Sequence, residues 1–212
     1  MLCLAGNFVS EGTVSSIINL IITANQLHVY SVHKLFFALK NNLTQEGLVK
    51  VSLYAFGEFG DLLVSNPAIG SDNETIIVTE TDLLNLINEI MNRKYENPST
   101  TVFLLNCLIK LSVRLGDKHI DKIKEMLEKE NNSFNSEVQQ RASEYLFFLQ
   151  PRLNELKQKV LEGIPLSKII KEIEINKYLN VILERSWLQN SKMNIMKYNL
   201  IFIKILLNQH LQ

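Results

Sequence analysis

Hydrophobic residues recur along most of the chain at intervals of three and four, the spacing that places side chains on one face of an α-helix. Between residues 10 and 39 this pattern predicts a helical hairpin that breaks at Asn25-Gln26. We expect a third helix to begin at Thr44, because its hydroxyl can accept a hydrogen bond from a free N–H of the first turn. This helix is apolar on nearly all sides, which is typical of the inner layer of a helical stack.

Turn and capping residues divide the middle of the chain. The stretch Asn66 to Asn73 contains Pro, Gly, Ser and Asp and is predicted to be the longest internal loop. Thr79 and Thr81 are candidate caps of the next helix. Asn97-Pro98 predicts the start of another helix, as a cap followed by a first-turn proline, and Gly116 predicts its end.

Three shorter amphipathic segments follow. The first places four apolar residues inward: Ile120, Ile123, Met126 and Leu127. The second opens with Ser136 and Gln139 in the arrangement of a capping box, and its buried stripe is expected at Val138, Ala142, Tyr145, Leu146 and Leu149. The third is predicted to open at Pro151, to bury Leu153, Leu156 and Val160, and to end near Gly163.

Eight helices with short connections, and no convincing strand pattern, predict an all-α protein. The helices pair into repeats of roughly 35 to 45 residues, the range of HEAT and armadillo repeats. In such arrays each hairpin buries its apolar face against its neighbours. We therefore predict an α-α superhelix, a HEAT/armadillo-like solenoid.

Composition narrows the range of functions that the chain can have. The 22 Lys plus Arg balance the 22 Asp plus Glu, so no basic surplus points to nucleic acid, and proteins are the expected partners. The two cysteines are too few for a disulfide framework and lack metal-ligand spacing, which is typical of a reducing cytosol. The longest late apolar run covers eight residues, 200–207, and is split by Lys204, whereas a membrane span takes about 20.

The candidate chemical groups favour structural roles. Gly57 to Asp61 resembles a phosphate loop or a carboxylate pair, but the segment lies in a predicted helix without the required lysine, so we expect its glycines to let helices approach closely. His28 and His33 are five residues apart and diverge around a helix, and Cys107 is expected to be a buried hydrophobe. We predict no catalytic, cofactor-binding or metal-binding residues, no cofactor and no enzyme activity.

A basic ridge recurs every four residues at Lys110, Arg114, Lys118 and Lys122. Such a ridge can bind an acidic peptide or a phosphoinositide headgroup. Asp117, Asp121 and Glu125 are interspersed with it, however, and mixed charge on an outer helix needs no ligand. We therefore favour a solvated face.

Four segments carry a family resemblance. Residues 57–64, Gly-Glu-Phe-Gly-Asp-Leu-Leu-Val, are similar to the trunk of gamma-adaptins, large chains of the clathrin-associated heterotetrameric adaptor complex of the trans-Golgi network and endosomes. Residues 137–145, Glu-Val-Gln-Gln-Arg-Ala-Ser-Glu-Tyr, resemble the end of that trunk, and residues 27–32 and 109–114 agree as well. Alpha-adaptins, the plasma-membrane counterparts, share the Gln-Gln-Arg-Ala pattern but match residues 57–64 less well.

The resemblance implies that residues 1–165 form a fragment of an adaptin trunk, most of whose N-terminal part would precede Met1. The implied function is a non-enzymatic scaffold in vesicle-mediated intracellular protein transport. The implied partners are a beta-type large chain, a medium mu chain, a small sigma chain and, indirectly, the clathrin coat. The implied location is cytoplasmic, peripheral on trans-Golgi network and endosomal membranes and on clathrin-coated vesicles.

Residues 166–212 lie beyond the resemblance. They hold seven basic and three acidic residues, a net charge of +4, against −4 (15 minus 19) for the rest. This shift marks a boundary, and we expect a divergent helical or disordered tail. Three alternative functions stay open. One is an alpha-adaptin-like endocytic adaptor, and another is an importin-like or other helical-repeat coat scaffold, which differs only in its partner. The third is a nucleic-acid-binding repeat, which the zero net charge and single tryptophan disfavour.

Overall fold

The computed structural model describes residues 9–69, 75–93 and 95–161. The described residues contain eight α-helices: α1 (Glu11–Thr23), α2 (His28–Asn41), α3 (Glu46–Ser65), α4 (Glu80–Met91), α5 (Pro98–Arg114), α6 (Ile120–Glu130), α7 (Ser136–Phe148) and α8 (Asn154–Leu161). Short 3-10 turns precede three of them, at Asn25–Leu27, Asp117–His119 and Pro151–Leu153. The tail expected at residues 166–212 lies outside the described residues.

The odd-numbered helices pack side by side in chain order, α1 on α3, α3 on α5 and α5 on α7. Helix α2 packs on α3, α6 packs on both α5 and α7, and α8 packs back against α5. The odd-numbered helices begin at residues 11, 46, 98 and 136, at intervals of 35, 52 and 38 residues. The predicted all-α superhelix of stacked helices is confirmed.

Helices α3 and α5 form the centre of the stack. Twelve of the 20 residues of α3 are buried, which confirms the prediction of an inner helix. Helix α3 bends at Phe59, whose φ of −130° and ψ of 21° leave the helical region. The largest fully buried side chains of the two helices are Leu48, Leu53, Phe56, Leu63, Leu105, Leu108 and Ile109.

Local capping chemistry sets three of the predicted boundaries. Thr79 caps α4 in a capping box, since its hydroxyl accepts from the Asp82 N–H while the Asp82 carboxylate accepts from the Thr79 N–H. The Asn97 side chain caps α5 at its first-turn proline. Gly116, with φ of 71°, follows the end of α5 in the conformation that glycine adopts readily. These predictions are confirmed.

Two predicted caps are wrong by one residue. Helix α3 has Gln45 at its N-cap, and the Thr44 hydroxyl instead donates to the Asn42 side-chain oxygen at 2.8 Å. Helix α7 has Asn135 at its N-cap, whose side-chain oxygen accepts from the N–H groups of residues 137 and 138 at 3.1 Å each. Ser136 is therefore the first residue of the helix and does not form the expected capping box.

The expected loop after α3 contains a short β-ladder. Strand β1 (Ala68–Ile69) pairs antiparallel with β2 (Thr75–Ile76), in the register Ala68 with Ile76 and Ile69 with Thr75. The loop prediction for 66–73 is therefore wrong at residues 68–69, and its second half, residues 70–73, lies outside the described residues. The helix predicted to open at Pro151 begins later, because Pro151 opens a 3-10 turn instead. Its predicted buried residue Leu156 is 46% exposed, and the neighbouring Lys157 is buried.

Candidate interaction surface

The two glycines of the 57–61 segment lie where α3 meets α5. A Cβ atom at Gly57 would lie 3.3 Å from the Cα of Cys107, and one at Gly60 would lie 2.5 Å from Cδ2 of Leu111. Carbon atoms pack best about 3.5 to 4.0 Å apart, so neither position has room for a side chain. The predicted structural role of these glycines in close helix packing is confirmed.

A cluster of charged side chains lies beside this close approach. The Glu58 carboxylate, whose side chain is 12% exposed, contacts the Lys110 ammonium directly and lies 3.2 Å from Nη2 of Arg114. Arg114 also donates from Nε to the Gly57 carbonyl oxygen at 3.0 Å. The Lys110 ammonium lies 5.6 Å from the centre of the Tyr54 ring. We call these four side chains, Tyr54, Glu58, Lys110 and Arg114, the α3–α5 charge cluster.

Burial sets the protonation equilibria of this cluster. Burial, with the neighbouring Arg114 cation as a smaller cause, lowers the pKa of Lys110 to about 8. The Glu58 carboxylate opposes this effect, because its contact with the ammonium favours the charged form. Burial also raises the pKa of Tyr54 to about 12. The cluster therefore links α3 and α5 through charge-assisted contacts between partly buried side chains.

The remaining side chains of the basic ridge also contact a neighbouring helix. The Glu80 carboxylate, in the first turn of α4, lies 2.5 Å from Nε2 of His119 and 3.6 Å from the Lys118 ammonium. The hydrogen bond from His119 is the largest cause that lowers the pKa of Glu80. Lys122 donates to the Asn85 side-chain oxygen at 2.8 Å. All three links join the α5–α6 region to α4.

The favoured prediction of a solvated face is therefore wrong at Lys110 and Arg114, whose side chains are 30% and 23% exposed. It holds at Lys118, whose side chain is 78% exposed. The structure brings all four side chains to polar partners on α3 or α4. Glu58 and Glu80 supply the carboxylates that contact three of these basic side chains. Glu58 lies in a segment for which the sequence predicted only close helix packing, and Glu80 lies in one for which it predicted only the start of a helix. The spacing of the basic residues alone carried no signal for these partners.

His28 and His33, the two histidines considered as metal ligands, contact backbone carbonyl groups. His28 Nε2 lies 2.8 Å from the Ile21 carbonyl oxygen, and its ring stacks on Phe59 at 3.9 Å between centroids. His33 lies 2.7 Å from the Val29 oxygen through Nδ1 and 3.0 Å from the Asn66 oxygen through Nε2. Cys107 is buried as expected, and its burial raises the pKa of the thiol. Such a thiol is held in its unreactive form.

Two of the cavities within the described residues have a buried lysine in their lining. One of about 220 Å³ is lined by Val9, Glu11, Val14, Glu46, Gly47, Lys50, Glu96 and Asn97. The side chain of Lys50 is only 4% exposed, and its ammonium pairs with the Glu11 carboxylate at 2.5 Å. The other cavity, of about 110 Å³, includes the buried Lys157 and the turn at Gly116. Sequence analysis missed both buried lysines; a lysine inside the apolar run 48–53 was the available signal for Lys50.

Among residues 9–69, 75–93 and 95–161, no group of three or more His, Cys, Asp or Glu side chains is arranged to hold a metal ion. None of the helices in these ranges is long and apolar enough to cross a bilayer.

Comparison with known proteins places this helical stack in a family. The family described as "Adaptin N terminal region" matches residues 1–152. The chain belongs to the adaptin N-terminal region family. This finding confirms the resemblance that residues 57–64 and 137–145 carry, and both segments lie inside the match.

Individual adaptins support the gamma type. The chain is 34% identical over 148 residues to the AP-1 complex subunit gamma of Dictyostelium discoideum, covering 68% of this chain and 16% of the relative. It is 36% identical over 165 residues to AP-1 complex subunit gamma-1 of Schizosaccharomyces pombe, covering 76% and 19%. The AP-2 complex subunit alpha of that organism is 31% identical over 166 residues, covering 78% and 17%. The chain thus spans less than a fifth of each adaptin.

The described adaptin surface exposes several large apolar side chains. Leu20, Leu27 and Tyr30, on the α1–α2 hairpin, are 66%, 54% and 62% exposed. Phe134 projects from the α6–α7 connection without cover from the described residues.

Proposed function

We propose that this chain is a non-enzymatic scaffold piece of a gamma-type clathrin adaptor complex, acting in vesicle-mediated intracellular protein transport. The observation that carries this proposal is the adaptin family match over residues 1–152, together with relatives named as AP-1 complex gamma subunits. Because the chain spans less than a fifth of those relatives, the proposal concerns one section of a large-chain trunk.

The packing of the stack suits a scaffold. The α3–α5 charge cluster and the links from α5–α6 to α4 hold successive helices in register with polar contacts, while fully buried leucines supply the hydrophobic stabilisation. Each buried Leu contributes roughly 1.5 to 3 kcal/mol relative to an exposed one. Such a stack keeps its outer side chains in fixed relative positions, which is what a surface for protein partners requires.

The proposed partners are a beta-type large chain, a medium mu chain and a small sigma chain, with clathrin engaged through the complex. The proposed location is the cytoplasmic side of trans-Golgi network and endosomal membranes, reached peripherally through the other subunits. Coated vesicles are the expected destination of the assembled complex. The family of the chain and the names of its gamma-type relatives support these proposals.

Affinity purification of the tagged 212-residue chain from its own cells tests the proposal. The expected result is recovery of a beta-type, a mu and a sigma chain. Leu108→Ala should reduce this recovery, because it removes a fully buried side chain and costs about 2 to 5 kcal/mol of stability. Leu108→Met is the matched control, since it conserves volume and costs less than about 1.5 kcal/mol.

The same purification separates the gamma type from the alpha type. Recovery of AP-1 subunits supports the gamma assignment, whereas recovery of AP-2 subunits supports the alternative that the 31% identity to an AP-2 alpha subunit keeps open. Recovery of the folded chain without any adaptor subunit would contradict the scaffold proposal.

A further inference from the structure

The bend in helix α3 has an identifiable set of possible causes. Within Glu46–Ser65, only Phe59 has backbone angles outside the helical region. Sharp bends in helices arise at proline, at glycine or serine pairs, at π-helical turns, or where a side chain bonds into the backbone ladder. Helix α3 contains no proline and no π-helical turn. The bend therefore comes from its glycines or from a side chain of a neighbouring helix.

Glycine alone does not explain the bend. Gly57 and Gly60 flank Phe59, and the absence of a Cβ atom makes their backbone easier to deform. Gly12 in α1 and Gly47 in α3 also lie inside helices, however, and the backbone there stays helical. A further contact has to select the bent form of α3 at this position.

Arg114, the last residue of α5, supplies such a contact. Its Nε donates to the Gly57 carbonyl oxygen at 3.0 Å, and its Nη2 lies 3.2 Å from the Glu58 carboxylate. In a regular α-helix the Gly57 oxygen accepts from the N–H four residues later, and that bond would span Phe59. The guanidinium thus offers a charged donor to a carbonyl oxygen within the turn that bends.

The first residue of α2 contacts the same bend. The His28 ring stacks on the Phe59 ring at 3.9 Å between centroids. Nε2 of His28 also lies 2.8 Å from the carbonyl oxygen of Ile21 in α1. The bend is therefore linked to the α1–α2 hairpin through Phe59 and to α5 through Arg114.

The angle at Phe59 affects how α1 is placed relative to α4. Before the bend, Val51 shares a buried cluster with Val14 of α1. After the bend, a Cβ atom on Gly60 would lie 3.5 Å from Cδ2 of Leu83 in α4. The part of α3 before Phe59 is about 20 Å long. A change of about 20° in the bend would therefore move the start of α3 by about 7 Å.

We propose that Arg114 is a latch, a side chain whose bond to the Gly57 carbonyl oxygen holds α3 bent at Phe59. When this bond is lost, α3 straightens and α1 moves relative to α4. The Glu58 carboxylate orients the guanidinium but does not itself hold the bend. This conformational role is independent of which proteins the chain binds.

NMR of the full chain, labelled with ¹³C and ¹⁵N, tests the latch. The Cα chemical shift of a residue reports its φ and ψ angles, so Phe59 of the wild type should deviate from the helical values of its neighbours in α3. In Arg114→Gln, the Phe59 shift is expected to move to the helical value. Arg141→Gln is the matched control, because Arg141 pairs with Glu137 within α7, and it should leave the Phe59 shift unchanged.

Two further variants separate the carbonyl bond from the ion pair. Glu58→Gln keeps a side-chain oxygen that accepts from Arg114, so the Phe59 shift should stay at its wild-type value. Arg114→Lys keeps a cation but lacks the planar fork that reaches both acceptors at once, so the shift should move towards the helical value. A wild-type Phe59 shift in either Arg114 variant, with the helical circular dichroism intact, would overturn the proposal. A helical Phe59 shift in the wild type would overturn it as well.

Pulsed electron spin resonance measures the predicted movement. Spin labels are attached at Asn19→Cys on α1 and Glu89→Cys on α4, two exposed positions, in a Cys3→Ser background. Cys107 stays unlabelled, because it is buried and its thiol is held in the unreactive form. The distance between the labels should shift by up to about 7 Å when Arg114→Gln is introduced. Identical distance distributions with and without Arg114→Gln would contradict the latch.

Discussion

Replacing Gly60 by alanine tests the close approach of α3 and α5. The new Cβ atom would lie 2.5 Å from Cδ2 of Leu111 and 3.5 Å from Cδ2 of Leu83. Both leucines are fully buried, so neither side chain can swing into solvent. The first distance is about 1 Å shorter than an ordinary carbon contact. Either Leu111 changes its rotamer or the two helices move apart.

Two opposing effects set the magnitude of this change. Overpacking a filled core costs about 1 to 3 kcal/mol. Alanine in place of glycine inside a helix contributes about 1 kcal/mol of stability. The expected net result for Gly60→Ala is a loss of about 0 to 2 kcal/mol. Gly12→Ala is the matched control, since its Cβ atom meets only the Ser10 hydroxyl oxygen at 3.8 Å. Gly60→Ala should therefore be less stable than Gly12→Ala by about 1 to 3 kcal/mol.

Urea unfolding followed by circular dichroism measures both variants. A double-mutant cycle with Leu111→Ala isolates the clash, because removing Cδ2 should make Gly60→Ala about 1 to 3 kcal/mol less costly. Equal stabilisation by Gly60→Ala and Gly12→Ala, with no coupling to Leu111, would refute the close approach.

Three further changes test other parts of the stack. Leu105→Ala should lower the free energy of unfolding by about 2 to 5 kcal/mol, because Leu105 is fully buried, and Leu105→Met should cost less than about 1.5 kcal/mol in the same urea titration. Thr79→Ala should cost about 1 kcal/mol through loss of the capping box, and Thr79→Ser should restore most of it, as thermal unfolding would show. Since the hydrogen bond from His119 lowers the pKa of Glu80, this carboxylate should stabilise the fold above its ordinary value of 4.5 and lose that contribution as the pH falls below it. Glu80→Gln should therefore lose less stability than the wild type between pH 5 and pH 3.

Each of these expectations has a clear contrary result. Equal urea midpoints for Leu105→Ala and the wild type would remove Leu105 from the core. A Thr79→Ala variant that melts with the wild type would show that the capping box contributes nothing. Parallel acid profiles for Glu80→Gln and the wild type would show that the Glu80–His119 contact is absent in solution.

Boundaries governed by neighbouring residues could be predicted from the sequence. The capping box at Thr79 and the cap at Asn97 depend on atoms within three residues, so their chemistry is visible in the chain. The predictions at Thr44 and Ser136 failed because nearby asparagines intervene: one accepts a hydrogen bond from the Thr44 hydroxyl, and the other accepts from the first-turn N–H groups that Ser136 was expected to cap. Asn42 binds the Thr44 hydroxyl, and Asn135 caps α7 one residue early.

Contacts between distant segments could not be predicted in the same way. Glu58 meets Lys110 across 52 residues and Arg114 across 56, and His33 meets Asn66 across 33. A period of three or four residues identifies the buried face of a helix but not its neighbour or the angle between them. The four-residue spacing of the basic ridge therefore suggested a surface, whereas folding brings these side chains to partners on α3 and α4.

If this stack is a scaffold within an adaptor complex, it must bind at least one other adaptor subunit. Native mass spectrometry of the chain co-expressed with a beta-type, a mu and a sigma chain from the same organism measures this binding. The expected result is an assembly that contains this chain together with at least one of those subunits. A folded chain observed only at its own mass of 24.4 kDa, while the other subunits assemble without it, would show that the stack is not part of the complex.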